Sequence, residues 1–379
     1  MLEFDVLQSG LVILLLLALG DVLTHFTHGA VPAVLFAGLA YMLCCWAGVL
    51  PGDLLESSGL GELPAAVMMI VNMGASMDIS KFISNWRVAL LAVLVFAGQL
   101  LALFSVVGGI YGVNTAIGGL PGGMAAALIV QERARSLGYE QIITLSVLIM
   151  TTQALVGGPA TLCIKKESAR LLASGETLPE KHEDAEAKPH SGERRGITLQ
   201  YGALLKLYAV SWAASRLGML TGLPRYVLCL LFGLLLSRLG ILGKNELSAS
   251  KSEGFVFFLL MAVVLAGFST TTPQMFTQML PPLLLILLTD LVAITLLSAL
   301  VGRMLGFSAY MGIALGMNIM IGFPLNMLIS QDVIYRLVVD ERKRAILMSE
   351  IGDRMVICGM ISVTFLSTTA ASFLVALMK

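Results

Sequence analysis

The sequence predicts an all-α polytopic membrane protein, with about ten transmembrane helices in two inverted five-helix repeats, each carrying a re-entrant segment that contains Gly and Pro. Three observations predict it. Hydrophobic residues make up 57% of the chain and charged residues only 13%, where a soluble domain carries about 25% charged residues. Apolar runs of roughly 20 residues, enough to cross a hydrocarbon core about 30 Å thick, recur along the chain without the alternation of β-barrel strands. One hydrophilic stretch, residues 165–198, divides these runs into two groups of five.

The first group fills residues 1–164, with runs at 6–26, 31–50, 63–79, 88–111 and 141–164. Its first run lacks a basic leader and ends at Asp21 rather than at a small-residue cleavage site, which reads as a retained span. Between the fourth and fifth runs lies "AIGGLPGGMAAALIV", inside a segment, 113–131, too apolar for a surface loop and too broken for a span. Irregular backbone at membrane depth is tolerated only where protein buries it or it lines a wet cavity, so the segment reads as re-entrant. The 165–198 stretch, with mixed charges, Pro179 and Pro189, reads as a solvated cytoplasmic linker. The second group fills 199–379, with runs at 199–220, 224–242, 254–269, 282–301 and 345–374, and "MGIALGMNIMIGFPLNMLIS" within a second re-entrant segment, 311–331.

An odd number of spans per half makes the second half enter from the opposite side, the inverted topology of many secondary transporters. With both termini outside, Lys81, Arg87, Lys165, Lys166, Arg238, Lys244, Arg303 and Arg336 fall inside with the basic residues of the linker, while Arg133, Arg135, Arg225 and Lys379 fall outside. That distribution follows the positive-inside rule. The five cysteines, Cys44, Cys45, Cys163, Cys229 and Cys358, have no zinc-like spacing and read as small buried hydrophobes.

Four stretches, taken in order, resemble the bacterial glutamate:sodium symporters, fold relatives of the sodium/2-hydroxycarboxylate transporters. They are "VPAVLFAGLAYMLCCWAGVLP", "VNMGASMDISKFISNWRVALL", "GGLPGGMAAALIVQERARSLGYE" and "LVGGPATLCIKK", and the match in order of elements covers nearly the whole chain. The resemblance implies a glycine-rich re-entrant loop in each half and sodium-coupled uptake of a dicarboxylic amino acid. It also implies a homodimer in the bacterial cytoplasmic membrane, with the lipid bilayer and a small-molecule substrate as partners, no nucleic acid, and no cofactor beyond sodium. The chain departs from the family in four places, one of them the charges Glu350, Asp353 and Arg354 on a last run expected to be mostly apolar. "IGGLPGG" lacks the family's His, and "GMNIMIGFPLN" keeps only Gly316 and Gly322. Gln99 is similar to a glutamine that the family carries on both halves, whereas the counterpart on the ninth run is Asp290.

Glycine lets a ligand approach bare backbone N–H and C=O groups, and broken helices present positive N-terminal ends to an anion and carbonyls to a cation. Gly118, Gly119, Gly122 and Gly123, with Pro121 as the helix breaker, form the first candidate substrate tip; Gly322, Pro324 and Asn326 form the second. Small residues also let helices pack closely, so packing is the competing reading. Arg354 is the candidate clamp for a substrate carboxylate, unless Glu350, four residues earlier and in the favourable order, holds it.

The coupling-ion candidates are Asp290, Asp353, Gln99 and Gln153. An Asp at a helix centre costs about 2.5 to 3.5 kcal/mol to insert, so Asp290 should face a cavity or a partner. Counted from the ends of their runs, Asp290 and Asp353 lie roughly 12 Å from opposite membrane edges and hence near one depth. Sodium is the favoured coupling ion because the tip glycines survive; the alternative is a proton carried by Asp290, or an exporter of a different small organic substrate. A membrane enzyme or a channel is disfavoured, since no His lies deep in a run and no charged ring or carbonyl filter is visible.

Overall fold

The computed structural model describes residues 6–26, 33–52, 54, 64–77, 79–153, 157–173, 200–221, 225–269, 271–322 and 325–379. Among them every regular element is helical. The first half contains α1 (Val6–Phe26), α2 (Ala33–Trp46), α3 (Ala65–Ser76), α4 (Ile79–Ser84), α5 (Trp86–Tyr111), α6 (Val113–Gly118), α7 (Met124–Ser136), α8 (Glu140–Thr152) and α9 (Gly157–Ala173). The second contains α10 (Gln200–Thr221), α11 (Arg225–Arg238), α12 (Glu246–Ala249), α13 (Glu253–Ser269), α14 (Pro273–Met304), α15 (Ala309–Ile321), α16 (Leu325–Leu337) and α17 (Glu341–Leu377). Four of these, α1, α5, α14 and α17, are long and apolar enough to cross a membrane, and five shorter apolar helices accompany them.

Helix α14 shows what surrounds the molecule. Leu284, Leu288, Val292, Leu296 and Leu300, spaced by four, stand 47% to 66% exposed, while Leu283, Ile286, Asp290, Ile294, Ser298 and Gly302 on the other face are buried. A helix that turns its carboxylate inward and its leucines outward suits hydrocarbon, where polar groups must be satisfied within the protein.

Several elements depart from the predicted runs. The helix expected from residue 282 begins at Pro273, because Thr272 accepts a hydrogen bond from the Met275 N–H and Pro273 needs no N–H in the first turn. Pro281 and Pro282 therefore lie inside α14. The run expected at 141–164 is described as two helices, α8 and α9, and α9 continues to Ala173, nine residues beyond the predicted end of the run. The sequence KKESARLLA is rich in helix formers, and Arg170 pairs with Glu167 at 2.7 Å one turn away, so the helix runs into the stretch read as linker. The rest of that linker, from residue 174, lies outside the described residues, as does Pro324.

Both Gly/Pro segments are interrupted helices. Between α6 and α7, residues 119–123 leave helical geometry, and between α15 and α16 the chain turns at Gly322, which has φ +75°. Pro121 supplies no N–H to continue a helix, and the consecutive glycines remove the side chains that would favour one.

The interior holds two apolar clusters. One gathers residues of α1 to α3 and α6 to α8 with Leu103 and Val107 of α5 and Leu283 and Ile286 of α14. The other gathers Val88 to Phe96 of α5, Ile294 of α14, most of α15, and α17 as far as Ile361. Helices α5 and α14 run antiparallel through both clusters, and each changes character between them, at Gln99 and at Asp290. Small residues bring neighbouring helices close elsewhere: a Cβ built on Gly302 of α14 would lie 2.8 Å from the Gly312 Cα of α15.

Candidate functional site

The first tip is held from three sides. Gln153, at the end of α8, donates from Nε2 to the Gly122 carbonyl at 2.6 Å, and the Gly122 N–H donates back to Gln153 Oε1 over a longer 3.4 Å. Gly122 has φ +152°, a conformation that side-chain-bearing residues rarely adopt, and a Cβ there would stand 2.5 Å from Ser367 Cβ on α17. A Cβ on Gly119 would stand 2.5 Å from Ile286 Cδ1 on α14. These glycines let the chain pass between α8, α14 and α17 where no larger residue fits.

The second tip reaches the same place from the other half. A Cβ on Gly123 would lie 2.5 Å from Val363 Cγ1, and one on Gly322 would lie 3.2 Å from that same atom. Val363 therefore separates the two tips. It belongs to Met360–Leu366, a π-helical stretch of α17, and such widened turns recur at functional sites. Around it α17 buries Ser362, Thr364, Ser367 and Thr368. Asn326 at the start of α16 is fully buried and donates from Nδ2 to the Met355 carbonyl at 2.7 Å, and Asn318 of α15 donates to Met355 Sδ at 3.3 Å.

One helical turn from Ile286 lies the waist between the clusters. Asp290 and Gln99 are both 0% exposed, and Gln99 Nε2 donates to Asp290 Oδ1 at 2.5 Å. Gln99 Oε1 and Asp290 Oδ2 have no hydrogen-bond partner among the described residues.

The structure thus brings Gly122, Gly123 and Gly322 together against α17, sets Gly119 of the same tip against α14, holds Gly122 with Gln153, and joins Gln99 to Asp290. Gly118 is buried against Ile142, and Pro121 is buried in the same tip. Arg354 is not at the tips. Glu350 holds it at 2.5 Å and Phe307 lies under its guanidinium, about 14 Å along α17 from Val363. Asp353 is exposed whereas Asp290 is fully buried, so the two carboxylates do not share an environment despite the depth their positions predict.

Sequence reasoning missed Ile286, Val363 and Ser367. The aliphatic pair carried no signal, but the run of hydroxyls in "SVTFLSTT" was a visible mark of a polar face within an apolar helix. It also missed Glu167, which is buried and accepts a hydrogen bond from Ser308, the residue that caps α15. In comparisons with known proteins, no family model and no curated protein matches the chain.

Proposed function

We propose that the chain is a secondary active transporter, a sodium-coupled symporter of a small anionic substrate such as glutamate or a related amino or organic acid. It works in the bacterial cytoplasmic membrane as a homodimer of two inverted five-helix repeats. The observation that carries this reading is the convergence of two interrupted helices, one from each half, on Val363. Helices α7 and α16 begin just past the breaks, so their positive N-terminal ends lie at the tips, where an anion is favoured. Tip carbonyls offer oxygens to a hard cation, and the buried hydroxyls of α17 border the same place.

The inverted arrangement is supported by which residues meet. Residues assigned inside contact one another: Ser308 bonds Glu167, Lys166 lies over Tyr310, Arg87 reaches Gly306, and Ser76 bonds the Lys244 carbonyl. Residues assigned outside do the same, with Arg225 on Glu132, Gln141 on Gln278, and Tyr139 on the Lys379 carbonyl. Alternating access then amounts to moving one group of helices past the other around the tips.

The test is uptake of labelled amino acids and dicarboxylates into proteoliposomes under imposed sodium or proton gradients. Accumulation of an anionic solute driven by sodium is the expected result. Flux that is driven by no gradient overturns the transporter reading, and uptake that ignores sodium overturns the sodium assignment.

A further inference from the structure

The crossing of α5 and α14 leaves two hydrogen-bonding oxygens unmatched at a single place. Gln99 and Asp290 already form one bond, Nε2 to Oδ1, and the atoms left over are the single amide oxygen of Gln99, Oε1, and the second carboxyl oxygen of Asp290, Oδ2. Both are acceptors, both belong to side chains with no exposure, and buried acceptors are normally paired. One added proton pairs both of them. We propose that the Gln99–Asp290 crossing is a proton-binding site in which Asp290 Oδ2 carries the proton and donates it to Gln99 Oε1 while Gln99 Nε2 donates to Asp290 Oδ1. The product is a neutral cyclic acid–amide pair with two hydrogen bonds; the proton comes from water, and its release returns a carboxylate.

Two features favour a proton over other occupants. A hard metal cation gathers several oxygens, and this crossing offers two that lack a donor. Among the described residues no side-chain charge pairs with the carboxylate either. The titratable groups described on the elements that pack against α14 and α5 are Arg87 and Tyr111 on α5, Glu140 on α8, Tyr310 on α15, and Glu341, Arg342, Lys343, Arg344, Glu350, Asp353, Arg354 and Cys358 on α17, with Arg303 on α14 itself. None of them hydrogen bonds Asp290, and on α5 and α14 the nearest lie about 18 Å along the helix from the pair. An ionised carboxylate held by one amide between two apolar clusters is strongly disfavoured, whereas the neutral acid is satisfied there. Because α5 belongs to one half and α14 to the other, the proton adds a second hydrogen bond between the two halves at this point.

This inference goes beyond the transport reading and does not depend on it. Infrared difference spectra of the full chain in lipid nanodiscs, between acidic and alkaline buffer and with no substrate, test it directly. A protonated-carboxyl C=O band lost on the alkaline side is expected. The band should be absent in Asp290→Asn, which keeps both hydrogen bonds as an amide pair, and unchanged in Asp353→Asn. Gln99→Leu retains the acid but removes its partner, so the band should move to higher frequency; that shift decides the matter if Asp290→Asn does not fold. Spectra identical in wild type and Asp290→Asn, no shift in Gln99→Leu, or loss of the band on adding sodium at constant acidic pH would each overturn the proposal. Failure of uptake with these spectra intact removes the transport reading alone, and uptake with these spectra absent removes the proton site alone.

Discussion

Gln153 grips both backbone polar groups of Gly122, accepting from its N–H and donating to its carbonyl at 2.6 Å. The Gly122 carbonyl is buried, so its partner matters more than an exposed one would: an unsatisfied buried acceptor costs about 1–3 kcal/mol.

Gln153→Leu is therefore expected to lower stability by about 1–3 kcal/mol and to free the tip. Denaturation in nanodiscs reads the first effect, and faster hydrogen exchange at the Gly122 amide reads the second. An unchanged exchange rate would show that the tip is held without Gln153.

Gly122 answers two constraints, and paired substitutions separate them. Gly122→Val brings a Cβ within 2.5 Å of Ser367 Cβ and places a branched residue at φ +152°. It should insert normally but lose uptake at least tenfold. Gly122→Ala with Ser367→Gly removes the contact with Ser367, leaving Ala126 Cβ at 3.3 Å, but not the dihedral strain, worth about 1–3 kcal/mol. If the double variant transports as well as wild type, close approach alone explains the glycine.

The sequence made some of this site legible and hid the rest for a physical reason. A lone Asp in a leucine-rich run, a glutamine in another, and glycines beside a proline stand out because each is unfavourable in an apolar helix unless something compensates. Their depth follows from counting residues, but azimuth and lateral position do not, so the bond between Gln99 and Asp290 and the meeting of both tips at Val363 were invisible. For the same reason the shared depth of Asp353 and Asp290 left open that one is exposed and the other buried. Valine in a membrane helix carries no signal at all, and the interruption of α17 by π-helical turns follows from packing rather than composition. Arg354 was visible with two readings, and the structure shows the ion pair with Glu350.

That ion pair makes a prediction for Arg354. Its two side chains are 33% and 35% exposed, so the pair contributes about 0.2–1 kcal/mol. Arg354→Gln should cost no more than that in a thermal melt and should leave the KM of uptake within about twofold of wild type, as expected for a loss near or below the exposed-pair range. A tenfold rise in KM with kcat preserved would mean that Arg354 leaves Glu350 to bind the substrate carboxylate.

The last prediction concerns the contact between α3 and α11, which joins the two halves away from the tips. A Cβ on Gly74 would lie 2.2 Å from the Leu230 carbonyl oxygen, and one on Gly233 would lie 2.2 Å from that of Val71. Each glycine thus faces the other helix's backbone, which cannot rotate aside as a side chain can, and adding a methyl group forces the helices apart. Overpacking of this kind costs about 1–3 kcal/mol and sometimes more. Gly109 of α5 is the internal control, because a Cβ there meets nothing within 4 Å. Gly109→Ala should raise stability by up to about 1 kcal/mol, since alanine is the better helix former, whereas Gly74→Ala and Gly233→Ala should each lower it. Because both glycines serve one crossing, the double variant should lose less than the sum of the singles: once the first methyl has parted the helices, the second finds room. Strict additivity in denaturation of all four proteins would mean that the two contacts are independent and that α3 and α11 do not separate as rigid bodies.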